Sequence, residues 1–197
     1  MKVTYLLALL TCALMTIGVG CSSSTASSAN IDPQADAVLR SMSKTLSQAR
    51  QLSLHVRDSM DEELDTGDIV RISNDRRVCV QRPNKLAVEA KGNLYNRKVW
   101  YNGRTLTVLS KDENIYGTVE APNSIDKMFD FAMAEYDISI PLADLLFRKP
   151  YEILIANVYT GTYVGLEKIA DRDCHHLAFQ QELIDWQIWI DLSLIHI

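Results

Sequence analysis

Beyond its first twenty residues the chain has no apolar run long enough to cross a bilayer. It has no excess of basic charge either. Lys plus Arg number 20 against 25 Asp plus Glu, for a formal net charge of −5 and a pI of about 5.4. That balance offers no electrostatic footprint for nucleic acid, so none is expected as a partner. Only 8 Gly and 5 Pro occur in 197 residues, which excludes collagen and low-complexity polymers. With 4 Cys the chain is not a disulfide-dense scaffold. There is no Gly-rich phosphate loop, no G-x-S-x-G and no H-E-x-x-H. No cofactor and no enzymatic activity are therefore expected. A hydrolase without a recognisable nucleophile–base pair is a remote alternative. What is present, 47% hydrophobic and 23% charged residues, is the composition of an ordinary globular domain.

The one apolar run, from about Tyr5 to Val19, follows Lys2 and ends in small residues. That is the n-region, h-region and cleavage zone of a secretory signal over residues 1–20. A retained N-terminal anchor is the alternative. Gly18-Val19-Gly20-Cys21 resembles a bacterial lipobox, although Gly18 stands where Leu is usual. The resemblance implies lipidation at Cys21. Ordinary signal-peptidase cleavage, which Gly18-x-Gly20 also serves, would leave a simply secreted protein. Several acyl chains on one Cys anchor firmly, at about 0.8 kcal/mol per buried CH₂. Ser22, in place of an inner-membrane-retaining Asp, implies the outer membrane of a Gram-negative bacterium. Residues 21–31 are small and polar and read as a tether.

Residues 32–191 carry the pattern of one domain. Asp32-Pro33 supplies an N-cap and a first-turn proline, and Ala35, Val38, Leu39, Met42, Leu46 and Ala49 form one helical stripe. From Gln51 the period becomes two. Leu52, Leu54 and Val56, then Val70 and Ile72, Val78 and Val80, and Leu86, Val88 and Ala90 alternate with polar residues. Trp100 to Val108 predicts a hairpin, with Asn102-Gly103 as a type I′ turn. Ile115–Val119 follows as a strand. Helical patterns begin at Pro122-Asn123-Ser124, with Ile125, Met128, Phe129, Ala132 and Tyr136 on one face, and recur near 141–147 and 151–156. Strands resume at 161–165, 174–181 and 185–191, the last with Trp186, Ile188 and Ile190 on one face and Trp189 on the other. A meander plus helices predicts an α+β fold with helices closing one face of a curved antiparallel sheet.

Residues 192–197, Leu-Ser-Leu-Ile-His-Ile, resemble the translated start of a sequencing-library adapter, and they interrupt the 185–191 strand pattern without a turn. The expectation is a read-through artefact, with further natural strands that would pair with 185–191 and complete a wall begun by Ile188 and Ile190. The alternative is a genuine apolar C-terminus.

His175 and His176 are adjacent on a strand and point to opposite faces. Cys174 and His176 share a face, yet no second pair has zinc-ligand spacing. The Asp61, Glu63, Asp65 stretch places Thr66 where a calcium loop needs Gly, and reads as a solvated turn. Cys79 and Cys174 are allowed a disulfide in an oxidising compartment, with two buried thiols as the other reading.

Gln81-Arg82-Pro83-Asn84-Lys85-Leu86, Trp100-Tyr101-Asn102-Gly103-Arg104-Thr105, Asn114-Ile115-Tyr116 and Ala121-Pro122-Asn123-Ser124-Ile125-Asp126 resemble a bacterial family of predicted periplasmic proteins of unknown function. So do Pro141-Leu142-Ala143-Asp144-Leu145, Cys174-His175-His176-Leu177-Ala178-Phe179 and Asp185-Trp186-Gln187-Ile188-Trp189-Ile190. That family is similar to the lipoprotein-localisation (LolA/LolB-like) carriers. The resemblance implies a strongly curved antiparallel β half-barrel closed by helices, incomplete here, around a cavity for acyl chains. The function so implied is a non-enzymatic envelope lipoprotein that binds an acyl chain or other apolar ligand. Leu52, Leu54, Val56, Leu86, Val88, Trp100, Leu106, Val108, Ile188 and Ile190 are the candidate cavity wall. The alternative from a different class is an envelope sensor or scaffold whose partner is another envelope protein.

Overall fold

The computed structural model describes residues 29–93, 95–136, 138, 140 and 142–194. The leader, Cys12, Cys21, most of the tether and His196 lie outside the described residues.

Helix α1 (Pro33–Gln48) starts where Asp32 Oδ1 accepts the Gln34 N–H at 2.7 Å. Its buried stripe is Ala35, Val38, Leu39, Met42 and Leu46, joined by Ser43. Strands β2 (Gln51–Glu63), β3 (Ile69–Gln81), β4 (Lys85–Gly92), β5 (Asn96–Tyr101), β6 (Thr105–Ser110) and β7 (Ile115–Glu120) follow as an antiparallel meander, each paired with its sequence neighbours. Helix α2 (Ile125–Tyr136) then lays Ile125, Met128, Phe129 and Ala132 on that sheet. Its start is capped by Ser124, whose Oγ accepts the Lys127 N–H at 3.3 Å. Helix α3 (Pro150–Ile155) leads into β8 (Val158–Ile169), β9 (Arg172–Gln181) and β10 (Trp186–Asp191). A short strand β1 (Asn30–Ile31) pairs parallel with β8, giving a second sheet of order β1-β8-β9-β10.

The α+β class expected from the pattern is present, with the strands divided between two sheets rather than drawn as one continuous half-barrel. Two cores result. One lies between α2 and the meander; the other lies between α1 and the second sheet, around Leu39, Leu177, Phe179 and Ile190. Leu52 packs against both. Ser43 Oγ accepts the Tyr151 N–H at 2.9 Å, which satisfies an orphan donor at the start of α3.

Several local expectations change. Part of the supposed tether is a strand, because Asn30 and Ile31 pair with Thr160 and Gly161, and the Asp32 N–H continues the contact by donating to Gly161 O at 2.8 Å. Tyr136 points outward, and the described residues 142–147 hold a 3₁₀ turn over 143–145 in place of the expected helix. The β8–β9 hairpin turns on Ala170 and Asp171, both at positive φ (48° and 64°), a pair without the Asn-Gly signature of such turns.

The Asn102-Gly103 hairpin is present, but its turn is set one residue later than expected. Asn102 and Thr105 close it, and of the central pair Gly103-Arg104 only Gly103 has positive φ, at 90°. That is the II′ pattern rather than I′. The cause is the Asn102 side chain, whose Oδ1 accepts the N–H groups of Arg104 and Thr105, both at 2.9 Å. A Cβ on Gly103 would lie 2.8 Å from Asn84 Cγ. Gly103→Val therefore combines positive-φ strain with a clash and should cost about 2–3 kcal/mol, read as a lower denaturation midpoint.

On the outer face of the meander, Glu89 sits between Lys111 Nζ (2.9 Å) and Lys98 Nζ (3.2 Å). Lys111 first, then Lys98, holds its carboxyl at about 2, below the usual 4.5. A depressed carboxylate stabilises above its unfolded pKa and ceases to as pH falls through its folded value. The melting temperature of the wild type should exceed that of Glu89→Gln at neutral pH. The gap should close between pH 4.5 and 2, measured by thermal melts across that range.

Candidate functional site

Antiparallel register sorts the inner face of the meander into cross-strand rows. Leu52, Val80, Leu86, Tyr101 and Leu106 form one row. Leu54, Val78, Val88, Val99 and Val108 form the next. Val56, Arg76, Ala90, Arg97 and Ser110 form a third. The alternation of the individual strands thus becomes a continuous apolar floor that turns polar at the third row.

Helix α2 and the segment after it roof this floor. Met128, Ala132, Ile138, Ile140, Leu142 and Leu146 face the sheet across a cavity of about 140 Å³. Its lining is aliphatic except for Arg76, Tyr95 and Arg97. The void is smaller than the ~300–1,000 Å³ of pockets for drug-sized ligands, so seating a full acyl chain requires the helical roof to shift.

Six of the ten candidate wall residues, Leu54, Val56, Leu86, Val88, Leu106 and Val108, line this cavity together. Leu52 lies beyond its end, between the two cores. The other three lie elsewhere. Trp100 is 42% exposed on the outer face, because Val99 and Tyr101 take the inward positions of β5. Ile188 and Ile190 pack under α1 in the second sheet and begin no wall of the cavity.

Arg76, Tyr95 and Arg97 escaped the sequence reading. Their signal was parity: Arg76 shares the inward phase of Val78 and Val80, and Arg97 that of Val99 and Tyr101. Arg76 Nη1 donates to Asp58 Oδ1, and its Nη2 donates to the Tyr95 hydroxyl at 2.8 Å. Asp58 Oδ2 also accepts from Asn74 Nδ2 at 3.0 Å. The Arg97 guanidinium lies 5.0 Å from the Tyr95 ring centroid.

Cys79 and Cys174 are free thiols in different sheets. Cys79 is exposed on β3, 3.8 Å from Ser53 Oγ, and Cys174 is buried on β9. Burial of both is thus corrected for Cys79, whose side chain shares the outer phase of Ser73 and Asp75. His175 and His176 do diverge: His175 Nδ1 meets the Tyr163 hydroxyl at 2.9 Å, while His176 stacks on Trp189 and bonds Gln187. Asp61 pairs with Arg71 at 2.8 Å. Among the described residues no group of three or more His, Cys, Asp or Glu is placed to hold a metal ion.

The molecule is therefore an α+β protein whose helix-roofed antiparallel sheet encloses an apolar cavity with a polar end. Within that class the chain belongs to a family described as predicted periplasmic protein (DUF2092), whose model matches residues 35–193. No curated protein matches it. No helix among the described residues is long and apolar enough to cross a membrane.

Proposed function

We propose that the chain is a non-enzymatic envelope lipoprotein, anchored at the outer membrane through Cys21, that binds an acyl chain in the cavity beneath α2. The observation that carries this reading is the single aliphatic cavity that Leu54, Val56, Leu86, Val88, Leu106 and Val108 line together. The resemblance to LolA/LolB-like carriers agrees with it, and takes the two sheets, bridged at Leu52, as parts of one half-barrel. The test is titration of the exported protein with a fluorescent fatty acid, expecting saturable one-to-one binding; emission that rises without saturation rejects it. The anchor is tested separately, by labelled palmitate entering the wild type and failing to enter Cys21→Ala.

A specific observation favours the sensor or scaffold reading. Met133 and Tyr136 are 47% and 48% exposed on the outside of the roof, and Ile138 and Leu142, which line the cavity, are still 40% and 50% exposed at its margin. An envelope protein docked there would be captured in cells by a photo-crosslinker at position 133, and fatty-acid titration would then give no saturable signal.

A further inference from the structure

The cavity is apolar along two rows and cationic at the third, and that asymmetry specifies the ligand further. We propose that the ligand is a single-chain amphiphile with an anionic oxygen head, held at the head by Arg97 and the Tyr95 hydroxyl. This rests on the acyl-binding reading above.

Arg76 and Arg97 flank Ala90 in one row, two strand spacings or roughly 9–10 Å apart. The short side chain of Ala90 leaves the space between them unfilled by its own strand. The charges of the two arginines are not equivalent. Arg76 is 11% exposed and is committed to Asp58, so it adds no net charge. Its second bond, to the Tyr95 oxygen, leaves the Tyr95 O–H proton to donate elsewhere, and no acceptor for it occurs among the described residues. The exposed Arg97 guanidinium lies over the Tyr95 ring, 5.0 Å from its centroid, and meets no carboxylate among the described residues.

A chain of contacts, Asn74 to Asp58 to Arg76 to Tyr95, thereby fixes the ring over which Arg97 sits. Arg76 is a positioning residue, and Arg97 with Tyr95 supplies the donors. A guanidinium fork and a hydroxyl at the polar end of an apolar slot match a carboxylate or phosphate on an alkyl tail. Arg97 is exposed to solvent at that end, so a neutral head would leave its guanidinium to water and forgo the charge-assisted bond.

Laurate, dodecyl phosphate and dodecanol share one tail and differ in the head. Each is used to displace a fluorescent apolar probe from the exported wild type, Arg97→Gln and Tyr95→Phe. The acids should displace about tenfold more tightly than the alcohol, the gain expected of charge-assisted hydrogen bonds. Arg97→Gln should bring the acids to the level of dodecanol and leave dodecanol unchanged, and Tyr95→Phe should remove part of the gain. The tighter of laurate and dodecyl phosphate identifies the head. Equal binding of acids and alcohol by the wild type overturns the anionic head and leaves the cavity reading standing. An acid preference untouched by Arg97→Gln overturns the assignment to Arg97. No displacement by any of the three overturns both readings.

Discussion

Val88→Phe is expected to weaken fatty-acid binding about tenfold or more while leaving the protein folded. Val88 stands at the centre of the Leu54–Val78–Val88–Val99–Val108 row, with the cavity directly over it. A phenyl ring there occupies the space an acyl chain needs. Excluding even two methylenes forfeits about 1.6 kcal/mol, which is more than a factor of ten in affinity. Because the ring enters an existing void, overpacking should cost no more than about 1–3 kcal/mol. The control is Ala87→Phe on the opposite face, which should bind like the wild type. Titration of both variants with the same fluorescent fatty acid decides the matter. Unchanged affinity in Val88→Phe would place the ligand elsewhere.

Phe179→Ala should be the most damaging single change to the second core. Phe179 is 1% exposed, its ring stacks on Trp186 with centroids 4.3 Å apart, and it packs in the cluster beneath α1. The site cannot readily close around the loss. A Cβ on Gly161 would come within 2.8 Å of the Phe179 ring, so this neighbour is already held against it and brings no side chain to fill the gap. The cost is about 3–5 kcal/mol, a large share of a typical ~5–15 kcal/mol total stability. For a domain of this size that lowers the melting temperature by roughly 6–20 °C. Differential scanning calorimetry checks the shift, and Trp186 emission should change with the loss of its stacking partner. A drop of only a degree or two would mean that the core under α1 repacks around the vacancy.

Much of the architecture was legible because it is local. The Asp32-Pro33 start, the buried stripe of α1, the phase of β2, β3, β4 and β6 and the apolar face of α2 all follow from side-chain period and capping chemistry within a few residues. The hairpin at Asn102-Gly103 was legible for the same reason. Its exact turn was not, since it depended on which of two roles the Asn102 side chain took, and the bonds to Arg104 and Thr105 settled that.

Trp100, Ile188 and Ile190 show where local reasoning stops. Within β5 both phases carry apolar residues, Trp100 on one and Val99 and Tyr101 on the other, so alternation alone left the inward face undecided. Pairing with Leu86 and Val88 decided it. Ile188 and Ile190 were read correctly as one buried face of their strand, but placed in the wrong core. By itself the sequence determined α1, α2 and most of the strands, the buried faces of α1, β2, β3, β4 and β6, and the absence of familiar catalytic motifs. Tertiary structure alone decided that the strands divide between two sheets, that six of the ten wall residues meet under α2, and that Arg76, Tyr95 and Arg97 gather at one end. The physical reason is that periodicity records which side of a strand meets apolar neighbours, whereas the identity of those neighbours depends on long-range register, which one strand's sequence does not encode.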